Sequence, residues 1–150
     1  MAPTDFRYTM RFCVPYHDID MMQHVNHTAY IIWAETIRVR YLTDLLGVGL
    51  RGKESVILAH LEFDYERPLD LGEQVVIGCR TSRLGRRSIE LSYEIWRESS
   101  SERAASGLSL MVAYDYDTQK SQALPERWRE AVLAYEPLAP ALGSPAKSSP

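Results

Sequence analysis

Cysteine is scarce: the 150-residue chain has only Cys13 and Cys79. Two thiols, each within an apolar strand-like run, exclude a disulfide framework and read as buried free thiols in a reducing, cytoplasmic setting. Nor does any stretch approach the ~20 apolar residues of a membrane span, so no membrane partner is expected. The opening MAPTDFRYTM carries an early aspartate and no long apolar run, so no signal peptide is read there. Positive charge is in deficit, with 17 Lys and Arg against 20 Asp and Glu. A general nucleic-acid binder, which needs a positive field, is therefore not expected. The motif G-x-S-x-G is absent as well, which removes one common serine-hydrolase arrangement.

What remains is an ordinary globular composition, 45% hydrophobic and 25% charged. A chain of this length suits one domain burying roughly two-thirds of its unfolded surface. The domain is expected over residues 1–136. The Pro/Ser/Ala-rich PLAPALGSPAKSSP, residues 137–150, is expected to be a disordered tail.

FRYTMRFCV (Phe6 to Val14) alternates as a strand, which Pro15 ends because it lacks a backbone donor. After a polar loop, Thr28–Leu46 reads as a helix: Tyr30, Ala34, Ile37, Tyr41 and Leu45 recur at three- and four-residue steps, widened by Ile31, Trp33 and Leu42. Asn26 suits the N-cap and Gly47 the C-terminal stop. Everything between that helix and a short one in LPERWREAVLAY reads as strand. Ala59, Leu61, Phe63 and Tyr65 share one face of the first strand, and Val75, Ile77 and Cys79 one face of the second. Ile89, Leu91, Tyr93 and Ile95 face in on the third, with Leu108, Leu110, Val112 and Tyr114 in phase on the fourth. The polar row Ser88, Glu90, Ser92 and Glu94 argues against a hydrophobic sheet-on-sheet contact. One strand, one long helix and four antiparallel strands make an α+β fold in which the lone helix must bury its stripe on a twisted sheet.

The loop DIDMMQHVNHTAY, Asp18 to Tyr30, concentrates carboxylates, histidines and an asparagine ahead of an apolar helix. Asp and Asn in that place are most often turn and capping residues. His17, His24 and His27 with Asp18 and Asp20 also offer metal-ligand types, but no two histidines have the i,i+4 helical spacing of a His-x-x-x-His ligand set, and no metal is expected. A third reading is hydrolytic. A helix N-terminus carries unsatisfied N–H groups and about half a positive charge, which suits a developing oxyanion, and a nearby carboxylate can attack or activate water. At the other end of the chemistry, Arg83, Arg86, Arg87 and Ser88 occupy a strand turn whose cations suit phosphates, the alternative being a solvated basic turn.

Strand, D-x-D-x-x-x-H-V-N-x-x-x-Y, long helix, the turn RLGRRS and a later ALP together resemble the hotdog-fold acyl-CoA thioesterases of the 4-hydroxybenzoyl-CoA thioesterase-like family, over Phe6 to Leu124. The resemblance implies a long central helix wrapped by a curved antiparallel sheet of about five strands. It implies Asp20 as the catalytic carboxylate, as nucleophile or general base, and the His27 backbone N–H as oxyanion donor. His27 departs from the family pattern, in which many relatives carry asparagine; a backbone donor tolerates that change. Asn26, His24 and Tyr30 are then expected near the substrate. Asp18 is expected to hold the loop, and Glu35 is a secondary candidate for the acyl pocket. Arg83, Arg86, Arg87 and Ser88 are expected to meet coenzyme A across a subunit boundary. The implied assembly is a homodimer or homotetramer without a cofactor, its acyl chain lying along Tyr30, Trp33 and Ile57. The alternatives are a non-catalytic acyl-CoA-binding protein, which has no use for Asp20, and a thioesterase for acyl carrier protein.

Overall fold

The computed structural model describes residues 5–49 and 51–143. Its elements are β1 (Tyr8–Cys13), α1 (His27–Leu46), β2 (Ser55–Tyr65), β3 (Gln74–Leu84), β4 (Ser88–Arg97), β5 (Arg103–Asp115), β6 (Lys120–Ser121), α2 (Glu126–Tyr135) and β7 (Ala141–Leu142). The long strands run β1-β3-β4-β5-β2, with β6 on β5 and β7 on β3. All pairings are antiparallel except β3 with β7. This is the expected α+β architecture of five long strands. Among the described residues no helix is long and apolar enough to cross a membrane.

Helix α1 starts and stops where its sequence says. The Asn26 side chain accepts the Thr28 N–H, and Gly47 closes the helix at φ 66°, a left-handed conformation suited to glycine. Gly47 N–H donates to Thr43 O, the bond of an αL cap, and Val48 N–H donates to Leu42 O. Tyr30, Trp33, Ala34, Ile37 and Tyr41 lie buried against Val75, Ile77, Cys79, Ile89, Leu91 and Ile95 of β3 and β4. The stripe is the expected one, except that Ile31 is only half-buried and Leu46 rather than Leu45 is buried at its end.

Several expectations change in three dimensions. On β5 the buried positions are Ala104, Ala105, Ser109, Met111 and Ala113, and the half-buried Leu108, Leu110 and Val112 form the outward row. Alternation defines two faces but not which is covered; here the side under the core carries mostly small residues. Paired with Ser88, Glu90 and Ser92 of β4, that row gives the outer face apolar as well as polar strips. On β2 a register shift between Leu58 and His60 takes Ala59 out of pairing. Cys79 is buried but Cys13 is exposed, because β1 is an edge strand and its last residue faces outward. The segment after residue 136 does not part from the domain at once, since Ala141 and Leu142 pair with Arg83 and Leu84. Residues 144–150, the rest of the expected tail, lie outside those described.

Beside α1 the apolar core encloses one polar cluster. Glu136, 8% exposed, takes the Tyr41 hydroxyl at 2.6 Å and the Thr81 N–H at 2.7 Å on one carboxylate oxygen. Its other oxygen has no partner among the described residues. Burial pushes its pKa above the ordinary 4.5, outweighing the two hydrogen bonds and the nearby Arg80 and Arg7. A carboxyl raised on folding contributes stability that is complete below pH 4.5 and is lost as pH climbs through the folded value. Glu54 and Glu66, lowered by Arg127 and Arg103, impose the opposite slope, so only a difference isolates Glu136. Glu136→Gln keeps an acceptor for Tyr41 and Thr81. Its melting temperature is expected to match the parent near pH 4 and to rise above it toward neutrality, measured by thermal unfolding across pH. A difference independent of pH would contradict this.

Candidate active site

The loop between β1 and α1 is folded back on itself. A single 3₁₀ turn, Tyr16–Asp18, leads into a bridge between Ile19 and Val25. Between them Asp20–Gln23 form a turn closed by Gln23 N–H to Asp20 O at 3.0 Å, with Asp20 N–H donating to His24 O at 3.0 Å. The Asp20 Oδ1 accepts the Met22 N–H at 2.9 Å, a common use of aspartate at the start of a turn. Gln23 sits at φ 66° to complete it, leaving Met21 99% exposed at the tip.

Two anchors join this loop to the body. Asp18 Oδ2 accepts the Trp33 indole N–H at 2.9 Å, and the Asp18 carbonyl accepts Asn26 N–H at 2.8 Å. Asp18 therefore has the expected holding role. Val25 N–H donates to Leu69 O at 2.9 Å in the turn before β3. His24 is drawn to that turn as well: its Nδ1 lies 2.9 Å from Asp70 Oδ1, so the ring partners Asp70 and not Asp20.

These contacts set Asp20 in a cleft of about 640 Å³ lined by Asp18, Asp20, Asn26, Thr28, Ala29 and Ile32, among others. The cleft lies against the start of α1. Asn26 spends its Oδ1 on the Thr28 N–H and hydroxyl, at 2.9 and 2.8 Å, and lines the same cleft. The helix begins at His27, and no acidic side chain occupies its first turn, so its positive end is not neutralised there. Among the described residues the His27 N–H makes no hydrogen bond. A carboxylate, a free helix-terminal donor and an uncompensated dipole are the parts acyl transfer requires.

The His27 side chain goes elsewhere. With Val25, Tyr30, Tyr65 and Pro68 it lines a second cleft of about 310 Å³, its ring edge-on to Tyr65 at 6.2 Å. The Tyr65 hydroxyl donates to His27 O at 3.0 Å, fixing the first helical residue from the sheet side. Tyr30 is only 3% exposed, and burial pushes its phenol up to about 12 despite a hydrogen bond from Leu69, so it is neutral and largely core. Trp33 is likewise core. Ile57 is placed differently from expectation: it pairs with Val112 on the outward face, while Val56 beside it faces α1, because strand side chains alternate.

The basic turn is remote from Asp20 within one chain. The Asp20 loop joins the Gln74 end of β3, since Cys13 pairs with Gln74, whereas Arg86 and Arg87 follow Leu84. Along an 11-residue strand the two ends stand roughly 30 Å apart. Arg86 is exposed, Arg87 Nη1 donates to Ser121 Oγ at 3.0 Å, and Arg83 and Ser88 are half-buried. Nor do the histidines gather: among the described residues no three His, Cys, Asp or Glu side chains form a group able to hold a metal.

Sequence reasoning missed Asp70, Tyr65 and the indole of Trp33. Asp70 looks like one more turn residue in PLDLGE, and an indole donor within an apolar stripe carries no polar signal.

Residues 14–132 match the model of the thioesterase-like superfamily. The long-chain acyl-CoA thioesterase FadM of Escherichia coli is 29% identical over 117 residues, covering 77% of this chain and 88% of that protein. A Thermus thermophilus thioesterase, solved in complex with coenzyme A and zinc, is 30% identical with a TM-score of 0.76, over 88% of this chain and 96% of that one. A thioesterase-superfamily structure from Jannaschia reaches a TM-score of 0.84 at 23% identity, over 93% and 89% of the two chains, a likeness of fold.

Proposed function

The chain belongs to the thioesterase-like superfamily and is a thioester hydrolase, and on that premise we propose that it hydrolyses acyl-CoA to a free acid and coenzyme A through Asp20. The observation that carries this reading is the meeting of Asp20 with Asn26, Thr28 and Ala29 at the start of α1 in one cleft, in a helix turn whose His27 N–H has no partner among the described residues. With the thioester carbonyl against that N–H, the charge growing on its oxygen meets a fixed donor and the positive end of the helix. Asp20 then attacks the carbonyl carbon, expelling the thiolate and leaving a mixed anhydride for water to open, or it takes a proton from an attacking water. Either route ends in the same acid and thiol. Asn26 holds the helix start, and Asp18 holds the loop.

Coenzyme A as the leaving group is supported by the acyl-CoA thioesterase among the relatives and by the Thermus protein that holds the cofactor itself. Arg83, Arg86, Arg87 and Ser88 are the proposed phosphate contacts. Their separation from Asp20 makes a site shared between two copies the economical arrangement, with the basic turn of one near the loop of the other. The exposed edge strand β2, 11 residues long, is a surface such a homodimer or homotetramer would cover. Thiol release from short, medium, long and aromatic acyl-CoAs tests the reading. Coenzyme A binding with no release from any of them would turn it into a binding protein, and release only from acylated carrier protein would change the leaving group.

A further inference from the structure

A separate cavity of about 190 Å³ opens beside the middle of α1, between the helix and strands β2 and β5. Val39, Leu42, Val48, Val56 and Met111 make its walls apolar, and Arg38 is the cation among them. The Arg38 side chain is 8% exposed yet poorly matched. Its guanidinium reaches the Tyr93 hydroxyl at 3.5 Å, and Glu35, itself 65% exposed, at 3.7 Å. The Tyr93 hydroxyl is already engaged with Ser109 Oγ at 2.6 Å. A guanidinium presents about five N–H donors, and a buried one is usually paired by short charge-assisted bonds. Among the described residues Arg38 has none of that quality, and it borders a cavity.

The cavity follows the Asp20 cleft along the helix. Thr28, Ala29 and Ile32 wall the cleft, and Glu35, Val39 and Leu42 wall the cavity, continuing at three- and four-residue steps. Ile32 and Val39, exposed by 59% and 45%, give that surface two apolar side chains, on either side of the exposed Glu35. From His27 to Arg38 the helix rises about 16 Å, the length of a medium to long acyl chain.

We propose that this cavity receives the far end of the acyl group and that Arg38 selects acyl groups ending in a carboxylate. The inference rests on the acyl-CoA reading above. A ligand carboxylate pairs with the guanidinium through two parallel N–H···O bonds, displacing the long contact to Glu35, whose side chain remains in water. The apolar walls take the methylenes that lead to it. A methyl-ended chain leaves the buried cation without an acceptor, and a site built for a polar group rejects an analogue lacking it.

The test compares kcat/KM for matched acyl-CoAs of decanoyl, dodecanoyl and tetradecanoyl length, each with a methyl or a carboxylate at the far carbon. The carboxylate form is expected to lead its best-length partner by about tenfold or more, a lead abolished by Arg38→Met. Glu35→Gln, at an exposed position, removes the competing carboxylate and is expected to widen the lead, so it decides the matter should Arg38→Met not fold. A methyl-ended preference in the native protein, or a ratio that neither variant moves, overturns the proposal while the thioesterase reading stands. Failure of every acyl-CoA, including the simple panel, overturns both.

Discussion

Asp20→Asn is expected to cut kcat for acyl-CoA hydrolysis by roughly 10²–10⁴-fold while leaving the melting temperature and oligomeric state of the parent. The asymmetry follows from how the side chain is used. Its Oδ1 accepts the Met22 N–H at 2.9 Å, which the Asn amide oxygen can also do. The backbone bonds of Asp20 to His24 and Gln23 do not involve the side chain. What the substitution removes is negative charge and basicity in the cleft, the properties that nucleophilic attack or proton abstraction needs. Asp20→Ala loses the turn contact as well, and is expected to add a modest destabilisation to the same catalytic loss. Steady-state thiol release with thermal unfolding and light scattering on the same samples separates these effects. Equal activity in parent and Asp20→Asn would move catalysis to another carboxylate. Asp18, tied to the Trp33 indole, is badly placed to take that role.

The second large effect concerns the shared site. Replacing Arg86 and Arg87 together by alanine is expected to lower kcat/KM by roughly 10²-fold at low salt, chiefly through KM, since each removes a charge-assisted bond to phosphate. Salt should shrink the difference, because exposed pairs are screened. If Asp20 and this turn serve one coenzyme A from different subunits, the two impaired proteins complement each other when assayed at low salt and subsaturating substrate. Refolding Asp20→Asn together with the double arginine variant then yields mixed dimers carrying one intact site and one site with both defects. Activity well above either parent variant is the expected result. Activity equal to the mean of the two separate variants would place Asp20 and the arginines of each site on one chain, against the roughly 30 Å that β3 puts between them. Loss of Ser121 packing is a lesser concern, since only the Arg87 side chain reaches it.

The apolar stripe at helical spacing, with Asn26 before it and Gly47 after it, was enough to mark α1 nearly to the residue, because capping and periodicity are local effects. Alternation likewise marked β3 and β4, whose inward residues are all buried. For Asp20, composition alone favoured a turn residue, and the resemblance of the whole loop to a known family reversed that preference. The local structure is in fact a turn, so both readings describe the same residue. Asn26 as cap and Asp18 as anchor were also legible, being contacts within or just beyond the segment itself.

Other features depended on which elements the fold brings together. Alternation on β5 could not say that Ala105, Ser109 and Ala113 face the core while Leu108 and Leu110 face out, since that choice is made by what packs on each side. His24 finds Asp70, Tyr65 finds His27, and Glu136 finds Tyr41 and Thr81, all across gaps in sequence that no local pattern encodes. The separation of Arg86 and Arg87 from Asp20 is likewise a matter of strand topology, as is the placing of Arg38 between helix and sheet. By itself, then, the sequence determined the elements, their ends and the loop chemistry, because those follow from backbone propensity and side-chain spacing. Which face is buried, which polar groups meet and where a cation is only weakly paired were decided by tertiary structure, because burial and pairing are properties of neighbours in space.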